Sequence, residues 1–216
     1  MRARKSYGQF CGLARSLDRI GDRWTLLIVR ELLLGPRSFR ELKESLSGIS
    51  PSLLTKRLSS LSDDGLIVRN DAPRRSRDVG YSLTEAGQDV EPVVLGLIRW
   101  GGRWMGSGPD DDQVDPRWAP LALRALLEAD PVRRGCLHLD IDGIQITLES
   151  AEGRRRITVG HRGRADATVT APLPLVLAVV AQATTLQESG AAISGDADVA
   201  QALLTPAANA ASRSSR

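Results

Sequence analysis

The sequence predicts an α+β protein with two domains, and three observations lead to this prediction. The chain has 216 residues, which is longer than most single domains. Two short helical segments, joined by a turn that contains glycine, come before a pair of strand-like segments with a basic loop between them. A stretch rich in Gly, Pro and Asp, residues 106–116, then separates this region from further helices and strands and is predicted to be a linker.

The charge is divided unevenly between the two halves. Residues 1–107 carry 18 Lys and Arg against 12 Asp and Glu, a net of +6, and the remainder carries 11 against 14, a net of −3. This asymmetry predicts that the first half binds a polyanion. The basic start of the chain is not followed by an apolar signal segment, and no apolar run is long enough to span a membrane. We therefore predict a cytoplasmic protein with no membrane partner.

The first elements are helices with recognisable starts. Residues 10–34 are predicted to form two helices broken at Gly21, with Asp22 as the N-cap of the second. Ser38 and Glu41 have the spacing of a capping box, which predicts a short helix over residues 39–46. Ser50 and Pro51 predict the start of the next helix, because a proline at the first helical position costs no hydrogen bond. The inward-facing residues of that helix are predicted to be Leu54, Leu58 and Leu61.

A hairpin is predicted directly after this helix-turn-helix. Residues 66–69 and 79–83 read as strands, and the loop between them carries Arg74, Arg75 and Arg77. A hairpin with a basic tip in this position is a wing. Residues 1–105 are therefore predicted to be a winged helix-turn-helix that binds DNA, ending in a long helix from Glu85 to about Met105.

The second domain is predicted to cover residues 117–205 and the tail 206–216 to be disordered. It begins with a helix from Trp118, and strict alternation around Asp142-Gly143 predicts a hairpin. Two further strands, an apolar helix from Leu173 to Thr185, a short strand and a terminal helix are predicted to follow. The sequence contains no Ser-His-Asp, Walker or Rossmann signature, so no enzyme activity, catalytic residue or cofactor is predicted.

The DNA-binding residues follow from the helix-turn-helix. A recognition helix reads the major groove with exposed residues near its N-terminus, and the wing contacts the backbone or a narrow minor groove. Arg57 has an alternative role, because it lies beside Leu53 and could instead pair with Asp63 or Glu41. The predicted DNA-binding residues are Ser38, Ser50, Pro51, Ser52, Thr55, Lys56, Arg57, Ser59, Arg74, Arg75 and Arg77.

The first half, over residues 11–104, resembles the HxlR family of winged-helix regulators, relatives of the MarR group. The stretches that carry the resemblance are 17–28, 30–32, 39–42, 48–51, 53–58, 65–67 and 81–87. The resemblance implies a transcriptional regulator, a repressor in our interpretation, that binds a palindromic operator as a homodimer formed by its first and last helices. The dimer-interface residues are then predicted to be Leu13, Leu17, Val94, Leu97, Trp100 and Trp104.

The second half resembles a sterol-carrier-protein-2 type module. The resemblance lies in residues 165–170, 190–196 and 199–204, with the apolar helix between them. It implies a sheet covered by helices around an apolar cavity, and hence a hydrophobic small-molecule ligand that controls DNA binding. An alternative function that is not transcriptional regulation is a lipid-binding or carrier protein, in which the first half only contacts other proteins.

The chain has two cysteines and two histidines. Cys11 precedes the first helix, in the region where several members of the resembled family carry a sensing cysteine, although Gly12 follows it here where proline is common in the family. Arg15, one turn further on, could lower the pKa of that thiol, so a thiol-based sensor and a packed interface cysteine both stay open. His138, Asp140 and Asp142 share one strand face, for which a solvated surface is favoured over a metal site, and Cys136 is predicted to lie in the core. No metal is predicted.

Overall fold

The structure, a computed structural model, describes residues 6–70, 80–105, 112–127 and 133–206. The chain divides into two compact units, Met1–Val94 and Leu95–Arg216. This division falls inside a helix, before the linker predicted at residues 106–116. Residues 106–111 of that linker and residues 207–216 of the tail lie outside the described residues, so these two assignments stay predictions.

The first unit combines helices with a small antiparallel sheet whose strand order is β1-β3-β2. This arrangement confirms the winged helix-turn-helix. The two-residue strand β1 was not predicted, because it exists only through its pairing with Gly80 and Tyr81. The elements are α1 Gly12–Ile20, α2 Thr25–Leu33, β1 Arg37–Ser38, α3 Phe39–Ser45, α4 Pro51–Asp63, β2 Ile67–Asn70, β3 Gly80–Leu83, α5 Glu85–Gln88 and α6 Glu91–Gly101, the last of which crosses into the second unit.

Local capping fixes where α3 and α4 begin. The Ser38 hydroxyl accepts the Glu41 N–H, and the Glu41 carboxylate accepts the Ser38 N–H at 2.7 Å, which completes the predicted capping box. Ser50 accepts the Leu53 N–H at the start of α4. Both helices then bury one face in a core that also takes side chains from α2 and β2. The largest fully buried side chains of this core are Ile28, Leu42, Leu46, Ile49, Leu54, Leu61 and Ile67.

The prediction of one continuous helix from Glu85 to Met105 is wrong. The chain forms α5, breaks at residues 89–90, and begins α6 at Glu91; a 3₁₀ turn, Gly102–Trp104, follows it. Pro92 explains the break, because a proline inside a helix has no N–H to donate to the carbonyl four residues earlier and its ring clashes with that carbonyl. The same proline is tolerated near the start of α6.

Gly87 in α5 lies against the backbone at the start of the wing. A Cβ atom at this position would lie 2.1 Å from the Leu66 carbonyl oxygen. We expect Gly87→Ala to lower the free energy of unfolding by at least about 2 kcal/mol, measured by urea denaturation, because backbone must move to relieve the clash. Gly96→Ala in α6 is the control: its Cβ would meet nothing within 4 Å, and we expect a gain of about 0.5–1 kcal/mol. An unchanged urea midpoint for Gly87→Ala would contradict this packing.

The second unit is a five-stranded mixed sheet, order β6-β5-β4-β7-β8, in which only the β4 and β7 pair is parallel. Asp142 and Gly143, with φ of 49° and 85°, form the predicted tight turn between the first two strands. A 3₁₀ turn, Pro116–Trp118, leads into this unit. The elements are α7 Ala119–Leu126, β4 Gly135–Ile141, β5 Ile144–Ala151, β6 Arg154–Val159, β7 Ala167–Thr170, α8 Leu173–Val180, β8 Ala192–Gly195 and α9 Ala197–Leu204.

One face of this sheet forms the core. Leu137, Leu139 and Ile141 alternate along β4 and are fully buried in one apolar cluster with residues of α7, α8 and α9. Helix α8 ends earlier than Thr185, where the sequence placed its end. Gln182 adopts a left-handed φ of 60°, and the Ala183 N–H donates back to the Ala178 carbonyl, which closes the helix.

Candidate nucleic-acid interface

The N-terminal turn of α4 is held in a fixed conformation. The Ser50 hydroxyl accepts the Leu53 N–H and lies 3.2 Å from the Ser52 hydroxyl, and Pro51 occupies the first helical position. Thr55 donates its hydroxyl to the Pro51 carbonyl at 2.9 Å. The side chains of this turn are therefore oriented before any partner arrives.

The two faces of α4 differ sharply in exposure. Leu54, Leu58 and Leu61 are at most 2% exposed and anchor the helix to the core. The opposite face, which we call the reading face, consists of exposed side chains, as predicted. Its hydroxyl groups can donate to or accept from base edges and phosphates, and its ammonium group can bind a phosphate. The reading face comprises Ser52, Thr55, Lys56 and Ser59.

Arg57 does not share the reading face. Its guanidinium lies 3.1 Å from the Asp22 carboxylate, and both side chains are about a quarter exposed. The partner is thus Asp22, and not Asp63 or Glu41. The N-cap position of α2 is Trp24 and not Asp22 as predicted, because α2 begins only at Thr25, but the Asp22 carboxylate caps the helix from outside by accepting the N–H groups of Trp24 and Thr25. The Asp22 carboxylate therefore caps the start of α2 and also forms an ion pair with a residue of α4.

We expect the two roles of Asp22 to separate on substitution. Asp22→Ala removes both the cap and the ion pair and should lower the free energy of unfolding by about 1–2 kcal/mol. Asp22→Asn keeps a side-chain oxygen for the cap and should lose less than half of that amount, since a partly exposed ion pair contributes little. Urea denaturation of the two variants measures the difference, and equal losses would contradict the capping role.

The remaining predicted DNA-binding residues lie around α3 and the wing. The Ser38 hydroxyl accepts the Glu41 N–H in the capping box. The structure therefore shows Ser38 fixing the start of α3, whereas its contact with DNA stays a prediction. Arg74, Arg75 and Arg77 lie outside the described residues. Strands β2 and β3 pair Asn70 with Gly80, which brings the two ends of the predicted wing loop together.

Sequence reasoning missed two exposed residues on β2. Arg69 and Asn70 are exposed, and the Asn70 amide donates to the Ser82 hydroxyl across the hairpin. Both lie next to the predicted wing loop, so a guanidinium and an amide are exposed at its base. The sequence could have indicated these two residues, because the end of a wing's first strand extends beyond the core and lies next to the basic tip.

Cys11 immediately precedes α1 and is exposed. Hydrogen bonds from the backbone N–H groups of Ala14 and Leu13 lower the pKa of its thiol. Arg15, which the sequence suggested as the cause, lies 3.8 Å from the Asp18 carboxylate. Cys136 was predicted to lie in the core, but it is only partly buried, because the core residue Leu137 next to it on β4 points to the other face of the sheet. Burial, followed by the charges of Glu149 and Asp166, raises the pKa of its thiol.

Apolar side chains are exposed on α1 and on α6. On α1, Leu13 is 68% exposed and Leu17 is also exposed. On α6 and the turn after it, Leu97, Trp100 and Trp104 are exposed, and the two indole rings contact edge to face at 4.5 Å. Val94, the sixth predicted interface residue, is only 5% exposed, so it is already covered within the monomer and has little surface to offer a second copy.

Within the described ranges, no group of three or more His, Cys, Asp and Glu side chains is placed to hold a metal ion. None of the helices in the part of the chain that the structure describes has the length and apolar character needed to cross a membrane.

Comparisons with known proteins match this chain to helix-turn-helix transcriptional regulators. Residues 19–109 match the model of the HxlR-like helix-turn-helix family. An uncharacterised HTH-type transcriptional regulator of Synechocystis is 34% identical over 98 residues, covering 45% of this chain and 73% of the relative. One of Mycobacterium tuberculosis is 35% identical over 149 residues, covering 65% and 86%. The solved structure of the reduced transcriptional regulator YodB from Bacillus subtilis is 30% identical, with 46% and 99% coverage and a TM-score of 0.40.

Proposed function

The chain belongs to the HxlR-like helix-turn-helix family of transcriptional regulators, and we propose that it binds its operator by placing α4 in the major groove of DNA. The observation that carries this proposal is the division of α4 into a buried leucine face and the exposed reading face. A helix with this division, capped by Ser50 and braced through Arg57, can present four polar side chains to base edges without losing its packing.

The wing supplies the non-specific part of the binding in this proposal. Arg74, Arg75 and Arg77 contact phosphates or enter a narrow minor groove, and Arg69 at the base of the wing adds a further cation. The net charge of +6 over residues 1–107 supports this role. Affinity should therefore fall steeply as the salt concentration rises.

The experiment is selection of bound fragments from the host genome, followed by affinity measurements on the selected sequence at several salt concentrations. We expect a negative slope of log affinity against log salt and a preference for the selected sequence over a scrambled one. A slope near zero with no sequence preference would instead favour the carrier-protein alternative. The genes next to the selected sites would also indicate the class of ligand.

We propose that the chain acts as a homodimeric repressor on a palindromic operator. The exposed apolar residues of α1 and α6 support dimer formation, since a regulator that stays monomeric would leave two tryptophans in water. Two-fold symmetry in the dimer matches a palindrome with half-sites about one helical turn apart, or a multiple of it. A reporter gene placed behind the operator should become more active when the regulator is deleted.

We propose further that the second unit is a module of the sterol-carrier type and binds an apolar small molecule that alters operator affinity. Its mixed sheet carries α8, a helix with apolar residues on every side, and its core is built almost wholly of aliphatic side chains. A ligand regulates only if it binds the two states of the dimer with different affinity. Ligands found for this unit should therefore change operator affinity; ligands that leave it unchanged would overturn this step.

The exposed thiol of Cys11 supports a second candidate, a thiol-based sensor in which the second unit is structural. In this case an oxidant or electrophile lowers operator affinity in the wild type and leaves the affinity of Cys11→Ser unchanged. Under the small-molecule proposal, Cys11→Ser still responds to the apolar ligand. Operator affinity of Cys11→Ser, measured once with an oxidant and once with the apolar ligand, therefore distinguishes the two mechanisms.

The two thiols should also differ in reactivity. A lowered pKa leaves a larger thiolate fraction near neutral pH, and the thiolate is the form that reacts. We expect iodoacetamide at pH 7 to alkylate Cys11 well before Cys136, whose pKa is raised, and the difference to narrow as the pH rises. Mass spectrometry of timed samples measures both sites, with Cys11→Ser as the control. Faster alkylation of Cys136 would contradict the assignment.

A further inference from the structure

The two histidines of the chain lie against each other in the second unit, although they are distant in sequence. His138 is on β4, and His161 is in the segment between β6 and β7. Their imidazole rings are stacked, with centroids 4.1 Å apart and planes inclined by 7°. His138 lies on the face of the sheet opposite the apolar core, because Leu137 and Leu139 point into that core.

The segment that carries His161 crosses the sheet. The strand order requires the chain to pass from β6, at one edge, beyond β5 and β4 before it forms β7. We call residues 160–164 the crossing loop. Thr147 on β5 holds this loop twice, because its hydroxyl donates to the Gly160 carbonyl at 2.7 Å and accepts the Arg162 N–H at 2.9 Å.

The histidine pair forms the second attachment of the crossing loop. His138 Nε2 lies 3.1 Å from the Arg162 carbonyl oxygen. His161 Nε2 lies 3.4 Å from both the Leu139 carbonyl oxygen and the Asp140 carboxylate. These neighbours are all acceptors, so each Nε2 carries a hydrogen and donates it, and a second proton on either ring must go to Nδ1.

The first proton that the pair takes up and the second have different effects on the stacked rings. One imidazolium can stack on a neutral ring, and His161 is the ring whose Nε2 lies beside the Asp140 carboxylate. Two imidazolium rings at 4.1 Å repel each other, and one carboxylate compensates only one of them. The stack is therefore compatible with no charge or one charge and is opposed by two.

The other side chains around the pair do not remove this repulsion. In register with His138, β5, β6 and β7 place the uncharged Thr147, Thr158 and Thr168. Arg162 and Arg164 lie on the crossing loop itself and add positive charge to it. The charged groups on this face and along the loop are Asp140 on β4, Glu149 on β5, Arg154 and Arg156 on β6, and Arg162, Arg164 and Asp166 in the segment that leads to β7.

We propose that the His138–His161 stack is a proton-operated latch that holds the crossing loop to the sheet of the second unit. Histidine is the side chain that changes its charge between pH 5 and pH 8. When both rings are charged they separate, the His138 bond to the Arg162 carbonyl is lost, and the loop leaves the polar face that it covers. The second unit thereby responds to acid, independently of an apolar ligand or of Cys11.

Nuclear magnetic resonance of the full chain tests the latch directly, since the imidazole signals come from two residues only. We expect a nuclear Overhauser effect between the two rings at pH 8 and its loss at pH 5. The protection factor of the Arg162 amide against hydrogen exchange should fall about tenfold or more between these pH values, because its bond to Thr147 opens with the loop. The Leu139 amide in the core strand should keep its protection, which separates loop release from unfolding.

His161→Gln is the matched variant. Without the second ring, a charged His138 meets no stacked charge and can still donate to the Arg162 carbonyl, so protection of the Arg162 amide should be equal at pH 8 and pH 5. A ring-to-ring effect and Arg162 protection that persist unchanged at pH 5 in the wild type would overturn the latch. The same acid-induced loss of Arg162 protection in His161→Gln would also overturn it, because the stack would then not be the cause.

Discussion

Reversing the charge at Lys56 is expected to lower operator affinity by about 100-fold or more. Lys56 is exposed on the reading face, and a dimer brings one copy to each half-site. Each lost charged hydrogen bond to a phosphate costs about 1.5–3 kcal/mol, and two copies of Lys56→Glu also place two carboxylates against the DNA. Fluorescence anisotropy on the selected operator at constant salt measures the loss.

Arg154→Glu is the control for Lys56→Glu. Arg154 is an exposed arginine on β6 in the second unit, so the substitution makes the same change from a cation to an anion in a residue that belongs to neither α4 nor the wing. We expect its operator affinity to stay within about threefold of wild type, because in the proposed complex the groups that contact the DNA are unchanged. Equal losses in the two variants would show that only net charge matters and that α4 has no special position on the DNA.

The second large effect is expected at the exposed apolar residues of α6. The double variant Leu97→Glu, Trp100→Glu should raise the dissociation constant of the dimer by about 100-fold or more. Both side chains are exposed in the monomer, and a two-fold axis makes each substitution count twice in the interface. Sedimentation velocity as a function of concentration measures the shift, and operator affinity should fall with it, since one protomer contacts only one half-site.

Val159→Glu is the control for the dimer variant. Val159 on β6 is also an exposed apolar residue, but it belongs to neither α1 nor α6. The control should leave the dimer intact, and both proteins should keep the wild-type circular dichroism spectrum, because no buried side chain is changed. A double variant that stays dimeric would place the interface elsewhere, and then the exposed tryptophans would need another partner.

Elements that depend on neighbouring residues could be predicted from the sequence. The capping box of Ser38 and Glu41, the start of α4 at Ser50-Pro51 and the turn at Asp142-Gly143 each need only a few adjacent residues. The reading face followed from the same local logic, because three leucines at helical spacing fix which residues point outward. The prediction of a continuous helix failed because it gave the apolar spacing more weight than Pro92.

Features made by distant residues could not be predicted. Strand β1 forms only where Arg37 and Ser38 meet β3, and the pairing of Arg57 with Asp22 depends on how α4 packs near the start of α2. The histidine stack depends on the path of the chain across the sheet. Sequence spacing does not show which distant residues contact each other. Glu41 and Asp63 were therefore predicted as partners of Arg57, whereas the structure pairs it with Asp22.

The most direct test of the central claim, that the reading face of α4 recognises the operator, is the ratio of affinities for operator and scrambled DNA. Wild type and the quadruple variant Ser52→Ala, Thr55→Ala, Lys56→Ala, Ser59→Ala are compared at one salt concentration. We predict a wild-type ratio of about 1,000 or more and a variant ratio below about 10, with an unchanged melting temperature, since all four side chains are exposed. A variant that keeps the wild-type ratio would contradict the account.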